Sequence, residues 1–100
     1  MRISVAQKGF DHRLLNKNNL SRFVSNVPVK NRDKILSFLK QQDDNSILSP
    51  RTFIDPITNK IAVCPIESHE INGFVWSNIT TYLFEKYNIK LNDDFVKMFD

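Results

Sequence analysis

The stretch RTFIDPITNKIAVCPI, residues 51–66, decides the fold class of this chain. It contains two β-branched or apolar runs, RTFID and KIAVCPI, joined by PITN, a segment with the proline and polar residues of a turn. This pattern predicts a β-hairpin with strands near 51–55 and 60–66. Pro65 cannot donate a backbone hydrogen bond, so we expect the second strand to lie at a sheet edge or to end there.

Amphipathic patterns on the N-terminal side of the hairpin predict two helices. Apolar residues recur at helical spacing over about 19–27, and Pro28 ends this first helix because proline cannot continue one. A second apolar stripe, opposite a basic face, predicts a helix over about 30–42, which the acidic segment at 43–46 ends. A short first strand is expected at 2–6.

The C-terminal side of the hairpin predicts one more strand and two more helices. The apolar triplet at 74–76 predicts a short strand, and Ser77 is a suitable cap for a helix over 78–88 that ends at Asn88. A last helix is expected to begin at Asn92. The order ααββ(β)αα predicts an α+β fold in which helices pack on an antiparallel hairpin or small sheet.

Composition bounds the class of protein. The 100 residues, of which 41% are hydrophobic, suffice for one core, so we expect a single small domain spanning 1–100. The sequence shows neither the apolar run of a signal peptide nor the roughly 20 apolar residues of a membrane span, so no membrane association is expected. A single Cys fits a reducing compartment, which predicts a cytoplasmic protein. Only two glycines are present, too few for a phosphate-cradling loop, so no cofactor is expected.

The segment CPIESHEING, residues 64–73, concentrates reactive side chains, including the only Cys and one of the two His. Its Asn-Gly pair predicts a strand end, a polar loop with a turn, and a return into an apolar strand, with Cys64 in the core. In an extended chain Cys64 and His69 lie roughly 16 Å apart, too far for a nucleophile and its base. One Cys and two His at these spacings do not make a zinc site, so no metal is expected.

The charges are distributed unevenly along the chain. Residues 1–40 hold nine basic and two acidic residues, whereas residues 41–100 hold five basic and nine acidic residues. We expect a basic N-terminal face that docks on nucleic acid, a nucleoprotein or an acidic protein, without catalysis, as a regulator or inhibitor does; the alternative is an ordinary solvated surface. Two helices followed by a hairpin also fit a winged helix-turn-helix. The candidate binding residues are Lys8, Arg13, Lys17, Arg22, Lys30, Arg32, Lys34 and Lys40.

An enzymatic alternative is cleavage of RNA by His12, His69 and Lys8. That reaction needs one group to take the 2′ proton, one to protonate the leaving oxygen and a cation beside the phosphate, and His suits both proton roles near neutral pH. The segments FDHRLL, FIDPITNKIAV and GFVW resemble the colicin D type of tRNA-cleaving toxin domain, over about half the chain. The resemblance implies a nuclease acting on tRNA, although the chain adds a helix and lacks the family's adjacent Lys-His and Ser-Gly-Trp patterns.

A third hypothesis is a protein-protein inhibitor of the immunity kind. It would use the acidic C-terminal half together with exposed aromatics such as Trp76, Tyr82 or Tyr87. Trp76 follows an apolar strand and precedes a capped helix, which favours a core position for this side chain instead. The sequence leaves open the identity of the partner and the oligomeric state.

Overall fold

The computed structural model describes residues 2–26, 29–41 and 47–100, which form the α+β fold that the sequence predicts. Within these ranges the strands are β1 (Ile3–Ser4), β2 (Ile47–Ser49), β3 (Phe53–Ile54), β4 (Ile61–Val63), β5 (Ile66–Ile71) and β6 (Phe74–Ser77). The helices are α1 (Leu20–Phe23), α2 (Arg32–Leu39), α3 (Asn78–Tyr87) and α4 (Asp93–Val96), and 3-10 turns cover His12–Leu14 and Lys97–Phe99. The predicted helix ends at Pro28 and at 43–46 lie outside the described residues.

The strands form two sheets. One is a four-stranded sheet in the order β1-β6-β5-β2, in which β1 runs parallel to β6 and the other neighbours are antiparallel. The other is the two-stranded hairpin of β3 and β4. The sequence did not predict β2, which pairs with β5 and makes the latter a central strand rather than an edge.

The hairpin of β3 and β4 confirms the prediction from residues 51–66, with shorter strands. Asp55 builds its turn, because Oδ1 accepts hydrogen bonds from the backbone N–H of Ile57 at 2.7 Å and of Thr58 at 3.2 Å. Asn59 completes the turn with a φ of 61°, a left-handed conformation that Asn tolerates. β4 ends before Pro65, as the missing N–H requires.

The predicted polar loop within 64–73 is wrong, because Ile66–Ile71 forms the central strand β5. Asn72 and Gly73, with φ of 54° and 83°, make the two-residue turn into β6, so the Asn-Gly signal itself is confirmed. Four of the six residues of this strand are polar, and for that reason its hydropathy predicts a loop. One of the four, His69, is nevertheless buried. Cys64 is exposed and does not lie in the core, since it follows the end of β4.

The N-terminal helices are shorter than predicted. α1 makes a single turn, because Val24 leaves it in an extended conformation and bridges Ile89. α2 begins at Arg32, immediately after Asn31 adopts a left-handed conformation with a φ of 60°. The region 19–41 therefore contributes less helix than its apolar spacing indicates.

The C-terminal helices lie where they are predicted, but the expected side-chain cap at Ser77 is wrong, because Ser77 precedes α3 without making a capping hydrogen bond. Asn88 ends α3 in a left-handed conformation with a φ of 58°. The side chain of Asn92 accepts a hydrogen bond from the backbone N–H of Asp94 at 2.9 Å and so caps α4. None of the described helices is long and apolar enough to cross a membrane.

Helices α2 and α4 cover one face of the four-stranded sheet, called here the helix face. The rings of Phe38 and Trp76 lie 5.3 Å apart, and those of Phe74 and Phe95 lie 5.2 Å apart. Trp76 Nε1 donates a hydrogen bond to the carbonyl of Leu39 at 3.2 Å. With 6% of its surface exposed, Trp76 occupies the core position that was predicted for it.

Strand register determines which side chains lie on the opposite face, called here the outer face. His69 pairs directly with Trp76 and shares the helix face with it. Ser68 and Ser77 are the residues next to His69 and Trp76, and they pair with each other. Because successive side chains of a strand point to opposite faces, these two side chains project from the outer face.

Candidate functional site

A groove crosses the outer face of the sheet beside the His12–Leu14 turn. It consists of two adjoining cavities of about 590 and 750 Å³. Four residues line both cavities and mark the place where they meet, called here the junction: Asp11, His12, Ser68 and Ser77. We call the first cavity the β1 lobe and the second the hairpin lobe, after strands that border them.

The two serines of the junction form a cross-strand pair. Ser68 on β5 stands directly opposite Ser77 on β6, where paired Cβ atoms lie about 5 Å apart. Neither hydroxyl makes a hydrogen bond to any residue that the structure describes. Both therefore offer a donor and an acceptor to a molecule in the groove.

The imidazole of His12 is placed at the junction by its neighbours. Asp11 Oδ1 accepts hydrogen bonds from the backbone N–H of Arg13 at 2.9 Å and from its Nε at 3.1 Å, which fixes the turn. The His12 ring packs edge-on against Phe53, with centroids 5.7 Å apart. Within the described ranges, no hydrogen bond to this imidazole is found.

Burial and neighbouring charges perturb the titration of this segment. Burial lowers the pKa of His12 below its ordinary value of 6.5, an effect that the Asp11 carboxylate partly opposes. The hydrogen bonds from Arg13 lower the pKa of Asp11 to about 2. At neutral pH the junction therefore holds a neutral imidazole beside an ionised carboxylate whose charge is already balanced by Arg13.

Three arginines line the groove, together with the carboxylates of Asp11 and Glu70. Arg2 Nε lies 2.6 Å from Glu70 Oε1, and Arg13 pairs with Asp11 at 3.0 Å. Arg51 is exposed, and its guanidinium has no ion-pair partner among the residues described. The lining therefore carries a net positive charge, and Arg51 is the cation most available to a ligand.

The structure places the two histidines on different faces of the sheet. Both line the β1 lobe. However, His69 lies on the helix face, where its ring is 5.5 Å from that of Trp76 and its Nε2 is 3.6 Å from Glu67 Oε2. Lys8 is exposed in the turn at Gly9. The expected set of His12, His69 and Lys8 is therefore not assembled around one space on the outer face.

The predicted cations on and beside α2 belong to the helix side. Lys30 Nζ lies 4.0 Å from Asp100, and Lys40 pairs with Glu85. Arg32 donates two hydrogen bonds to backbone carbonyls of α3, at 3.2 and 2.8 Å. Because α1 is one turn long and Arg32 is bound to α3, the expected helix-turn-helix motif is not formed.

The remaining predicted cations are distributed over other parts of the surface. Arg13 lies at the groove, on the side of the sheet opposite α2. Four others are exposed and have no ion pair within the described part of the chain: Lys8, Lys17, Arg22 and Lys34. The eight residues thus lie on both sides of the sheet, and binding through them stays a prediction.

The aromatics expected to serve a protein-protein inhibitor have structural roles. Trp76 is buried, as described above. The hydroxyls of Tyr82 and Tyr87 donate hydrogen bonds to Oδ2 of the fully buried Asp55, at 2.6 and 2.7 Å. The expectation of an exposed aromatic surface built on these three residues is therefore wrong.

Ser68, Ser77 and Arg51 are site residues that the sequence does not predict. No local pattern marks Ser68, because IESHEI has apolar residues only at its two ends and lacks the alternation of a strand. Nothing local marks Ser77 and Arg51, because their position at the groove depends on the pairing of distant strands. A metal is not indicated either, since no cluster of three or more His, Cys, Asp or Glu occurs within 2–26, 29–41 and 47–100.

Comparison with known proteins finds no family model, curated protein or solved structure that matches this chain. The chain is therefore assigned to no family. The resemblance to the colicin D type of nuclease stays a prediction from short segments of sequence. Function has to be inferred from the groove itself.

Proposed function

We propose that this protein binds single-stranded nucleic acid in the groove on the outer face of its sheet, as a non-enzymatic regulator or inhibitor. The observation that carries the proposal is the junction, where three polar side chains without partners among the described residues converge: His12, Ser68 and Ser77. Convergent, unpartnered polar groups in a concave cavity that also has apolar surface are typical of a binding site.

The chemistry of the junction suits a phosphate group. Serine hydroxyls and an imidazole N–H donate hydrogen bonds, and arginine adds a charge-assisted bond to phosphate oxygens. Arg51 is exposed at the edge of the hairpin lobe and available for such a bond. Asp11 does not oppose the anion by a full charge, because Arg13 binds its carboxylate.

The shape and lining of the groove favour a single strand over a duplex. A duplex is read by a projecting helix or β-ribbon, whereas single strands lie in basic grooves with their bases against flat or apolar side chains. The groove is concave and has the half-buried Phe10 in one lobe and the exposed Ile54 in the other. It therefore offers apolar surfaces for bases beside cations for the backbone.

Fluorescence anisotropy with a labelled RNA or DNA strand of about 12 nucleotides tests the proposal. We expect binding to weaken steeply between about 50 and 200 mM salt, since phosphate contacts release counterions. Arg51→Gln should weaken binding and reduce the slope of log Kd against log salt by about 1. Lys34→Gln is the matched control, because it removes one exposed cation from the helix side.

The same titration distinguishes the two basic regions. A salt-independent affinity, or no binding of either strand, would contradict the proposal. Loss of affinity in Lys34→Gln with none in Arg51→Gln would move the binding surface to α2, on or beside which four of the eight predicted cations lie.

A second candidate function is cleavage of RNA with His12 as the general base. The observation that favours it is the lowered pKa of His12, which keeps the imidazole neutral at pH 7 and able to take a 2′ proton beside a phosphate at the junction. Incubation with total tRNA, alongside His12→Ala and His69→Ala, tests it. Loss of cleavage in His12→Ala alone supports the candidate, and equal cleavage by all three proteins removes it.

A further inference from the structure

Each lobe of the groove has apolar surface beside charged and polar side chains, and the junction between the lobes is polar. In the β1 lobe the accessible apolar side chains are Phe10, Ile47 and Val75, next to Arg2, Ser4 and Glu70. In the hairpin lobe they are Ile54, Pro56 and Ile66, next to Arg13, Arg51 and Thr52. Between them lie the hydroxyls of Ser68 and Ser77 and the imidazole of His12.

We infer that the unit recognised by the groove is one dinucleotide step, with a base in each lobe and the linking phosphate at the junction. The inference rests on the proposed function and adds the size and register of the ligand. A base needs apolar or aromatic surface, and a phosphate needs donors and positive charge. The order apolar, polar, apolar matches the order base, phosphate, base.

The volumes of the lobes agree with this assignment. Cavities of about 590 and 750 Å³ each lie within the range of roughly 300–1,000 Å³ that small organic ligands occupy. Each lobe therefore has room for a nucleoside. Charge complementarity supports the same occupant, because three arginines line the two cavities against two carboxylates.

Each lobe contains one isoleucine that can be changed without disturbing the core. Ile47 in the β1 lobe is 71% exposed, and Ile54 in the hairpin lobe is 53% exposed. Leu48 provides a matched control, since it is also on a strand, is 62% exposed and lines neither lobe. Substitution of each by Ser removes a similar amount of apolar surface.

The experiment is a competition against the labelled strand with three unlabelled compounds: a nucleoside monophosphate, a dinucleotide and a trinucleotide. The dinucleotide should compete at a concentration at least about fivefold lower than the monophosphate, because the second base adds a stacking contact, and the trinucleotide should improve little further. Ile47→Ser and Ile54→Ser should each raise the concentration at which the dinucleotide competes towards that of the monophosphate. Leu48→Ser should leave both competing concentrations unchanged.

The outcomes separate this inference from the function on which it rests. Equal competition by the monophosphate and the dinucleotide, or an effect of Leu48→Ser as large as that of Ile54→Ser, overturns the dinucleotide register while strand binding stands. An effect at one isoleucine only reduces the site to a single base, which also overturns it. Failure of the labelled strand itself to bind removes the proposed function and the inference together.

Discussion

The turn around Asp55 and the junction of the groove are both polar clusters, but they differ in how their polar atoms are satisfied. Asp55 is fully buried, and its two oxygens accept hydrogen bonds from two backbone N–H groups and two tyrosine hydroxyls. At the junction, the His12 imidazole and the Ser68 and Ser77 hydroxyls have no such partner within the described residues.

This difference separates polar groups that hold the fold from polar groups that can bind a ligand. A buried polar group that holds the fold must be satisfied internally, since leaving it unpaired costs about 1–3 kcal/mol. A polar group at the edge of a cavity is solvated in the free protein and can exchange water for a ligand. The Asp55 cluster therefore belongs to stability, and the junction is the place where we propose binding.

Of the changes that test this contrast, removal of the Asp55 carboxylate should have the largest effect. Asp55→Ala leaves two backbone donors and two tyrosine hydroxyls unpaired, and we expect it to lower the free energy of unfolding by more than about 3 kcal/mol. Urea unfolding at pH 7 measures it. Asp33→Ala, which removes an exposed carboxylate, should cost less than about 1 kcal/mol. Similar losses in the two variants would contradict the structural role of Asp55.

The Asp55 cluster also predicts a loss of stability in alkali. Burial and the hydrogen bond to Asp55 raise the pKa of Tyr87 to about 12 from an ordinary value of 10.0. The unfolded chain then loses this proton first as the pH rises, so the stability that Tyr87 contributes is present below pH 10 and is lost between about pH 10 and 12. Urea midpoints across this range measure the loss. Tyr87→Phe should flatten it, and an unchanged slope would refute the assignment.

Acid should also lower the stability of the protein, through Asp55, which accepts the same hydrogen bonds. Burial of Asp55 opposes its ionisation, but the hydrogen bonds from Tyr82, Tyr87 and the backbone outweigh it and hold the pKa of Asp55 far below its usual range. Its contribution is therefore present above about pH 4 and lost progressively as the pH falls below that value.

How much the sequence predicts depends on whether a signal is local. The hairpin of β3 and β4, the end of α3 at Asn88 and the cap of α4 at Asn92 are set by residues within one or two positions of the feature. The sequence predicts all of these because turn and cap chemistry acts over a few residues. The α+β class follows from them.

The parts that the sequence misses depend on pairing between distant strands. β5 reads as a loop because its polar residues are compatible with a strand only once β2 and β6 flank it. The same register decides that Ser68 and Ser77 share the outer face while His69 lies on the other side. A pattern of residue types cannot specify which face of the sheet a side chain occupies. The sequence therefore groups His12 and His69 by their shared chemistry, and the structure places them on different faces.

The junction serines give the next prediction, which affects binding and leaves stability unchanged. We expect Ser68→Ala with Ser77→Ala to raise the Kd for a labelled single strand about tenfold, since hydrogen bonds to a charged phosphate are lost. The free energy of unfolding should change by less than about 0.5 kcal/mol, because Ser77 makes no side-chain cap at α3. Ser37→Ala, on the exposed side of α2, is the control for hydroxyl loss. A drop in stability without a change in Kd would reverse the roles of the two clusters.

The smallest expected effect is the pH dependence of binding through His12. Because burial lowers the pKa of His12 below 6.5, the free protein holds a neutral imidazole at pH 7. A phosphate at the junction favours the protonated form, so affinity should rise as the pH falls through 6.5 and below, by less than about tenfold. Stability should change in the opposite sense over the same interval, because the unfolded chain takes up this proton more readily than the folded one.

Anisotropy titrations between pH 5 and 8 follow this coupling, since His is the side chain that ordinarily titrates there. His12→Gln keeps a polar side chain without the titration and should make the affinity independent of pH. His69→Gln changes a side chain on the helix face and should preserve the dependence. If instead the dependence vanishes in His69→Gln and persists in His12→Gln, the titrating group at the ligand lies on the helix face and the groove is not where the phosphate sits.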